Sequence, residues 1–283
     1  MGRSLRSGAI VLVGILLLAA CGQDDGGGSG GGGSTAQDGL TRVKDRGVYA
    51  GFFGEEPFAF IDQPKGTYTG LDAEVVKSCA KKIGVKEIFP VQTGWDGLIP
   101  GLVAKRYDLI AAGMSTAPKR LEVAIATQPM YKTGSRAMVK KGNPLNIHSW
   151  DDVKKAGETM GYVTGGLEGD SAKKLGVKAR GYESFDAMVR DLSVGRLNVI
   201  ITAEITLKRY IEKTNAPFEL AAPWDYQGQE FTPAIYFNKA DPSLRDAFND
   251  CITAMKEDGS LKGLMAKFGF PTDGLLPVQA VPS

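Results

Sequence analysis

The sequence predicts an α/β protein built from two lobes. Apolar segments of strand length alternate with segments in which apolar residues recur every three or four positions, an alternation typical of a parallel sheet covered by helices. The pattern starts near residue 47 and starts again near residue 135, so two units of similar size follow one another. A cleft between two such units is a common place for a small ligand.

The first unit contains three predicted strands, over residues 47–53, 87–91 and 107–112. The helix between the first two strands has apolar residues at helical spacing from Leu71 to Ile83, with lysines on the opposite face. Gly84 is suited to end this helix. A second helix is predicted over residues 98–104.

The second unit repeats the alternation. Its predicted strands are 135–139, 159–163 and 199–202, and its predicted helices are 149–156, 184–194 and 204–213. Ser149 is a residue type that caps helix N-termini. A last strand over 234–237 and helices over 243–256 and 261–268 complete the chain, which keeps the whole sequence in the α/β class.

The strand over 107–112 ends in a segment suited to binding. Its glycine, Gly113, exposes backbone groups at the carboxyl end of the strand, where open α/β sheets bind ligands. Pro118 suits the first turn of a helix, and Arg120 offers a planar fork of donors that fits a carboxylate. We therefore expect a pocket for a small carboxylate-bearing molecule; the alternative is an ordinary strand-to-helix turn with a solvated arginine.

Residues 1–20 predict a signal peptide, because Arg3 and Arg6 precede a short apolar run that ends in small residues. The run is too short for a membrane span. Its end, with Cys21, resembles a bacterial lipobox, which implies cleavage before Cys21 and lipidation of its thiol. The alternative is an ordinary secretory cleavage.

Residues 21–39 are mostly glycine, serine and other polar residues, and we expect a flexible tether there. With a lipidated cysteine at its start, the tether would hold a folded domain on the extracytoplasmic face of the cell membrane. No later apolar run reaches spanning length, so the domain itself is expected to be soluble.

Charge and metal-binding residues exclude several functions. The chain has 34 basic and 32 acidic residues, and Arg3 and Arg6 are the only charges in the predicted signal peptide, so the remainder is neutral. Neutrality argues against a nucleic-acid surface. A single histidine and no Cys-x-x-Cys argue against a zinc site, and no metal or other cofactor is expected.

Cys79 and Cys251 both fall on apolar helix faces. Our first interpretation is two buried free thiols. A disulfide between them is the alternative, since an exported protein meets an oxidising compartment.

From about residue 41 to residue 270, the sequence resembles the polar amino-acid-binding, family 3 solute-binding proteins of ABC importers. Four motifs carry this resemblance, at residues 70–76, 95–102, 112–120 and 256–260. It implies a two-lobed, type II periplasmic-binding-protein fold with two interlobe crossovers, near 131–134 and 230–233. Lobe 1 would hold residues 40–132 and 231–274, lobe 2 residues 133–230, and the C-terminal tail residues 275–283.

The resemblance also implies a monomeric binding protein rather than an enzyme. A small solute would close the two lobes, and the closed form would dock on an ABC permease in the membrane. Arg120 would hold the ligand carboxylate, with a carbonyl from Gly113 and a hydroxyl from Ser115. Phe58 and Trp95 would be aromatic walls, with core packing as their alternative.

One departure from the family concerns the lobe-2 strand that ends at Thr202, a residue expected in the site. Relatives that bind α-amino acids have an aspartate after it for the ligand ammonium, and Ala203 stands there. Leaving that ammonium buried without its partner would cost several kcal/mol. A standard α-amino acid is therefore disfavoured unless Glu204 or Glu168 substitutes.

A closer resemblance is to ectoine- and hydroxyectoine-binding proteins, carried by residues 97–102, 110–114, 140–144, 167–169 and 172–177. That subfamily also lacks the lobe-2 aspartate and cradles a cyclic amidinium in aromatic rings, with acidic partners that match Glu55 and Glu168. Ser115, however, stands where the subfamily has a third aromatic residue. The expected ligand is therefore an ectoine-like solute or an amino-acid derivative, with a polar or basic amino acid as the alternative.

Two other functions are compatible with the same sequence. A few dehydratases share this fold, and Glu55, Glu168 and Glu204 would be their candidate acids or bases. A surface sensor or adhesion lipoprotein would instead need a large exposed apolar patch for a protein partner.

Overall fold

A computed structural model describes residues 38–157, 159–222, 224 and 230–282. The predicted signal peptide, the predicted lipidation site at Cys21 and the tether as far as residue 37 lie outside these residues. No helix in the described part is long and apolar enough to cross a membrane.

The helices are α1 (Gly39–Arg46), α2 (Leu71–Lys82), α3 (Leu98–Val103), α4 (Pro118–Leu121), α5 (Trp150–Ala156), α6 (Leu167–Leu175), α7 (Phe185–Ser193), α8 (Glu204–Thr214), α9 (Pro242–Glu257) and α10 (Ser260–Lys267). The strands are β1 (Val48–Phe52), β2 (Phe60–Asp62), β3 (Thr67–Thr69), β4 (Ile88–Gln92), β5 (Leu109–Ile110), β6 (Ala124–Ala126), β7 (Thr133–Lys140), β8 (Met160–Val163), β9 (Ala179–Tyr182), β10 (Val199–Ala203), β11 (Phe218–Leu220), β12 (Glu230–Phe231) and β13 (Tyr236–Asn238).

Two large sheets organise the described residues, beside a two-stranded sheet of β2 and β3. The first has the strand order β4-β1-β5-β13-β6, with β1 parallel to β4 and β5, and β13 antiparallel to both of its neighbours. The second has the order β11-β7-β10-β8-β9, with β12 paired to β7. Helices pack on both sheets around apolar cores. The predicted two-lobed α/β fold is confirmed.

The chain passes between the two sheets at β7 and β12, which run antiparallel to each other. Thr133 pairs with Phe231, and Gly134 pairs with Glu230. Just before this pair, the amide of Met130 donates to the carbonyl of Pro233. The two crossing segments therefore lie side by side as a short two-stranded connection.

The folded part begins earlier than the predicted tether allowed. Gly39, the last residue of that tether, is buried and starts α1, and the side chain of Asp38 accepts a hydrogen bond from the amide of Thr41. Arg42 then pairs with the buried carboxylates of Asp108 and Asp241. The sequence pattern did not predict α1, and these ion pairs hold it to distant parts of the chain.

The sequence pattern also missed α6. Its nine residues bury only Glu168 and Ala172, so there is no apolar stripe to indicate a helix. Conversely, the predicted strand over 107–112 is reduced to the two paired residues of β5.

Cys79 and Cys251 form a disulfide, with a Cα–Cα distance of 5.6 Å. The first interpretation, two free thiols, is therefore wrong. Both residues do lie on buried helix faces, as predicted, but α2 packs directly on α9 and brings the two faces together. The bond joins segments that are 172 residues apart in the chain.

Candidate functional site

All eight residues predicted to contact a ligand line one cavity between the two lobes. They are Glu55, Phe58, Trp95, Gly113, Ser115, Arg120, Glu168 and Thr202. The first six belong to segments beside the first sheet, and the last two belong to α6 and β10 beside the second. The cavity is therefore built from both lobes.

Arg120 reaches the cavity from the short helix α4, which begins with Pro118 as predicted. Its Nη1 donates to the carbonyl of Ser115 at 2.8 Å, and its guanidinium lies 5.8 Å from the ring centre of Trp95. Burial lowers the pKa of Arg120, although Tyr236 and Glu168 act in the opposite direction. Among the described residues, no carboxylate lies within ion-pair distance of Arg120, so the guanidinium can receive an anionic group.

The backbone carbonyl and the side-chain hydroxyl of Ser115 both form hydrogen bonds with neighbouring residues. Its carbonyl accepts from Arg120 and from the hydroxyl of Tyr236, and its Oγ accepts from the amide of Thr232 at 3.0 Å. The hydroxyl proton of Ser115 is left to donate, because Oγ is the acceptor in the bond to Thr232. A carboxylate beside Arg120 would suit that donor.

The aromatic walls are Phe58 and Trp95. Phe58 is buried and packs edge-on against Phe270, so it is part of the core as well as of the cavity wall. Trp95 is half-buried, packs edge-on against Phe53, and donates its indole N–H to the carbonyl of Gly165 at 3.1 Å. Trp95 therefore joins the lobes directly.

Gly113 has a backbone conformation in which any residue with a Cβ atom would be strained. Its φ is +67°, and a Cβ there would lie 2.5 Å from a ring carbon of Phe58. Its amide donates to Oδ2 of Asp72 at 2.6 Å. The glycine thus lets the binding loop lie directly against the aromatic wall.

Glu55 and Glu168 bring two carboxylates to the cavity. Desolvation raises the pKa of Glu55 to about 7, opposed by a hydrogen bond from Thr206. Desolvation also raises the pKa of Glu168 to about 7; its own backbone amide and Arg120 lower it, whereas Glu55 raises it. A cation placed between these groups would favour their ionised forms.

The structure shows which residues lie at the position where relatives have the lobe-2 aspartate. Ala203 lines the cavity beside Thr202, while Glu204, the next residue, begins α8 and pairs with Arg136 at 3.4 Å. Glu204 is not among the cavity residues, so of the two candidate substitutes only Glu168 faces the site.

Several contributions were not predicted. Thr133 and Phe231, from the two crossing strands, also line the cavity. Both residues lie at the crossovers that the sequence predicted, and this position could have indicated that they line the cavity. Asp72 lies behind the wall and holds Gly113; it belongs to the motif at 70–76, but nothing local indicated that its side chain reaches the binding loop.

Comparison with known proteins agrees with this geometry. Residues 50–271 match the bacterial extracellular solute-binding proteins, family 3. The chain belongs to this family. It is therefore a solute-binding protein that works outside the cytoplasm, and the resemblance drawn from the motifs is confirmed at the family level.

Individual relatives cover most of the chain. A probable amino-acid ABC transporter periplasmic-binding protein of Sinorhizobium fredii is 30% identical over 250 residues, 84% of this chain and 82% of the relative. The L-cystine-binding protein of Escherichia coli is 30% identical over 237 residues, 83% of this chain and 88% of the relative. A crystal structure of EhuB with hydroxyectoine has a TM-score of 0.78 and 26% identity, and covers 84% of this chain and 95% of that one.

Proposed function

We propose that this protein is the solute-binding component of an amino-acid ABC importer and captures an amino acid, or a derivative, with both a carboxylate and a cationic group. One observation carries the proposal: Arg120, which has no carboxylate at ion-pair distance among the described residues, shares a cavity with the carboxylates of Glu55 and Glu168. A zwitterion matches that combination of charges.

The two charges of such a ligand would bridge the lobes. Arg120 and Ser115 would hold the carboxylate from lobe 1, and Glu168 would hold the cation from lobe 2. A ligand that contacts both lobes binds the closed form better than the open form, and so it drives closure. We propose residues 40–132 and 231–274 as one moving body and 133–230 as the other, with the β7–β12 connection as the hinge.

The relatives support an amino-acid ligand more than they support any single amino acid. Two of them carry amino-acid or L-cystine binding in their names. Glu168 would take the place of the aspartate that Ala203 removes, which reconciles an ammonium group with this cavity. The permease partner follows from the same relationship.

An ectoine-like solute is the second candidate, favoured by the similarity to EhuB in complex with hydroxyectoine. Phe58 and Trp95 would supply two faces for a delocalised cation, each contributing about 0.5–2 kcal/mol. Ser115 provides no third face, so the aromatic cage for such a ring would be partly open.

A thermal-shift screen tests these alternatives, because a ligand that binds only the folded state raises the melting temperature. The screen would include L-arginine, L-cystine, ectoine and hydroxyectoine, with agmatine as the control that lacks only the carboxylate of arginine. We expect at least one amino acid to shift the melting temperature. If agmatine shifts it as much as arginine, or if no zwitterion shifts it, the proposal fails. Recovery of the bound solute chemically unchanged would separate a binding protein from a dehydratase.

The lipid anchor is a separate proposal. Cys21→Ser should release the protein from membranes into the medium or periplasmic fraction, whereas the unaltered chain should stay with the membranes. Equal fractionation of the two would argue against lipidation at Cys21.

A further inference from the structure

Asp72 is a fully buried carboxylate on the first turn of α2, and it does not line the cavity. It nevertheless contacts three parts of the protein that surround the ligand site. Its Oδ2 accepts from the amide of Gly113 at 2.6 Å, and its Oδ1 accepts from the hydroxyl of Tyr131 at 2.7 Å. Its own amide donates to the carbonyl of Phe58 at 2.9 Å.

These three partners have different roles around the cavity. Phe58 is an aromatic wall, and Gly113 belongs to the binding loop that leads to Arg120. Tyr131 is buried and precedes the crossing strand β7 by two residues. Asp72 therefore connects the aromatic wall at Phe58, the binding loop at Gly113 and, through Tyr131, the segment that leads into β7.

The bond to Gly113 has a direct effect on the binding loop. Gly113 adopts a left-handed conformation that presses its backbone against the ring of Phe58, so the loop has little steric freedom on that side. The amide of Gly113 also donates a short hydrogen bond to the buried carboxylate of Asp72, which fixes the peptide between Ala112 and Gly113. The orientation of that peptide sets where the following residues, including Ser115, present their polar groups.

The environment of Asp72 makes the bond costly to lose. The carboxylate has no ion-pair partner among the described residues, and Tyr131 and Gly113 are the groups that donate to it. Desolvation raises the pKa of Asp72 to about 6, while the hydrogen bonds from Tyr131 and Gly113 lower it. A buried donor that loses its acceptor pays the full cost of its desolvation.

We propose that Asp72 is a positioning residue for ligand binding: it holds the Gly113 loop against Phe58 and couples both to the crossing segment at Tyr131, without touching the ligand. The inference rests on the proposed function for its ligand-binding readout. It gives a function to Asp72 of the motif at 70–76, whose side chain does not line the cavity.

Three variants test this role. Asp72→Ala removes the acceptor and should weaken the binding of the solute found in the thermal-shift screen roughly tenfold to a hundredfold. Asp72→Asn should restore affinity to within about threefold, because its Oδ1 can still accept from the amide of Gly113. It should lower stability, because the buried Tyr131 hydroxyl loses its acceptor. Val76→Ala, at a fully buried position one turn along the same helix, is the matched control. It should lower stability and leave affinity unchanged.

A second readout needs no ligand. NMR of the folded, ligand-free protein should show a strongly downfield, slowly exchanging Gly113 amide proton in the unaltered chain and in Val76→Ala. In Asp72→Ala this proton should move upfield and exchange at least tenfold faster. If none of the solutes binds the unaltered protein, the proposed function fails, while the Gly113 amide still tests the positioning role.

Two results would overturn the inference. One is an Asp72→Ala variant that binds within twofold of the unaltered protein and keeps the Gly113 amide signal. The other is a Val76→Ala variant that loses as much affinity as Asp72→Ala, because the effect would then follow from general loss of stability.

Discussion

Thr206 of α8 donates its hydroxyl across the cleft to Oε1 of Glu55 at 2.6 Å. The same hydroxyl lies 3.0 Å from the carbonyl of Glu56, and the side chain of Glu56 pairs with Arg209 and Lys213 one and two turns further along α8. A carboxylate that lines the ligand cavity is therefore held by the opposite lobe. Closure of the lobes and arrangement of the site are coupled through this bond.

Removing the hydroxyl should weaken the closed state. Thr206→Val keeps the shape of the side chain and should cost about 1–2 kcal/mol of ligand binding, since the bond to Glu55 exists only when the lobes meet. Calorimetry gives the affinity, and small-angle scattering gives the fraction of closed molecules. Thr206→Ser retains the donor and should behave like the unaltered protein. Equal affinities for all three would show that the bond does not contribute to closure.

Arg120 should dominate carboxylate recognition. Arg120→Ala should cost about 3–5 kcal/mol of binding, because the ligand carboxylate would be buried without a partner. Calorimetry with the solute from the thermal-shift screen measures this loss. Arg196→Ala, which removes an exposed arginine paired with Asp191 on α7, is a control expected to have no effect. An unchanged affinity in Arg120→Ala would remove Arg120 from the site.

Glu168 should recognise the cationic group. Glu168→Gln keeps the size of the side chain but removes its charge, so cationic ligands should lose far more affinity than neutral ones. Glu204→Gln, next to the position of the missing aspartate but paired with Arg136, should leave binding unchanged. The measurement compares the amino acid found in the thermal-shift screen with its α-hydroxy-acid analogue, which keeps the carboxylate but lacks the cationic ammonium group. If Glu168→Gln weakens both ligands equally, Glu168 serves the structure rather than the charge.

Binding and stability should depend on pH in opposite directions. Desolvation raises the pKa of both Glu55 and Glu168 to about 7, so between pH 4.5 and 7 the folded, ligand-free protein binds more protons than the unfolded chain. Its stability should therefore be greatest below pH 4.5 as far as these groups are concerned, and fall as the pH rises to 7. A cationic ligand needs the ionised carboxylates, so its affinity should rise over the same range and level off above pH 7.

Calorimetry in buffers with different ionisation enthalpies checks this dependence, because binding near pH 6 should release protons. The variant Glu55→Gln/Glu168→Gln is the control and should lose most of the proton release. A cationic ligand that binds equally well at pH 5.5 and pH 8, with no proton release, would show that the two carboxylates do not respond to it.

Reduction of the disulfide should destabilise the protein. Cys79–Cys251 closes a separation of 172 residues, and loss of such a link typically costs about 2–5 kcal/mol. Denaturant unfolding with and without reductant measures the change. Cys79→Ala/Cys251→Ala should be insensitive to reductant. Alkylation of both thiols in the unreduced protein, seen by mass spectrometry, would contradict the bond.

Local sequence patterns predicted the central helices and strands of both lobes, but not the short strands β2, β3, β6, β9, β11 and β12. Most of the eight proposed ligand contacts came from the resemblance to a known family. The apolar period of α2 and the cap residue Ser149 of α5 depend on neighbours within one or two turns, so the chain carries that information locally. The loop from Gly113 to Arg120 is similarly contiguous. The remaining contacts lie elsewhere in the chain and were carried over from other positions of the family resemblance: Glu55, Phe58, Trp95, Glu168 and Thr202. Failures occurred where order comes from distant partners, as at α1, or where a helix buries few apolar residues, as at α6.

The relationships that matter most for function join residues far apart in the chain. Thr206 meets Glu55, Asp72 meets Gly113, and Cys79 meets Cys251 because whole lobes and helices pack against each other. The same packing places Glu168 in the cavity and turns Glu204 towards Arg136, an alternative that the sequence left open. Residue patterns report the local period and chemistry of a segment, whereas these distances depend on the sum of tertiary contacts between segments.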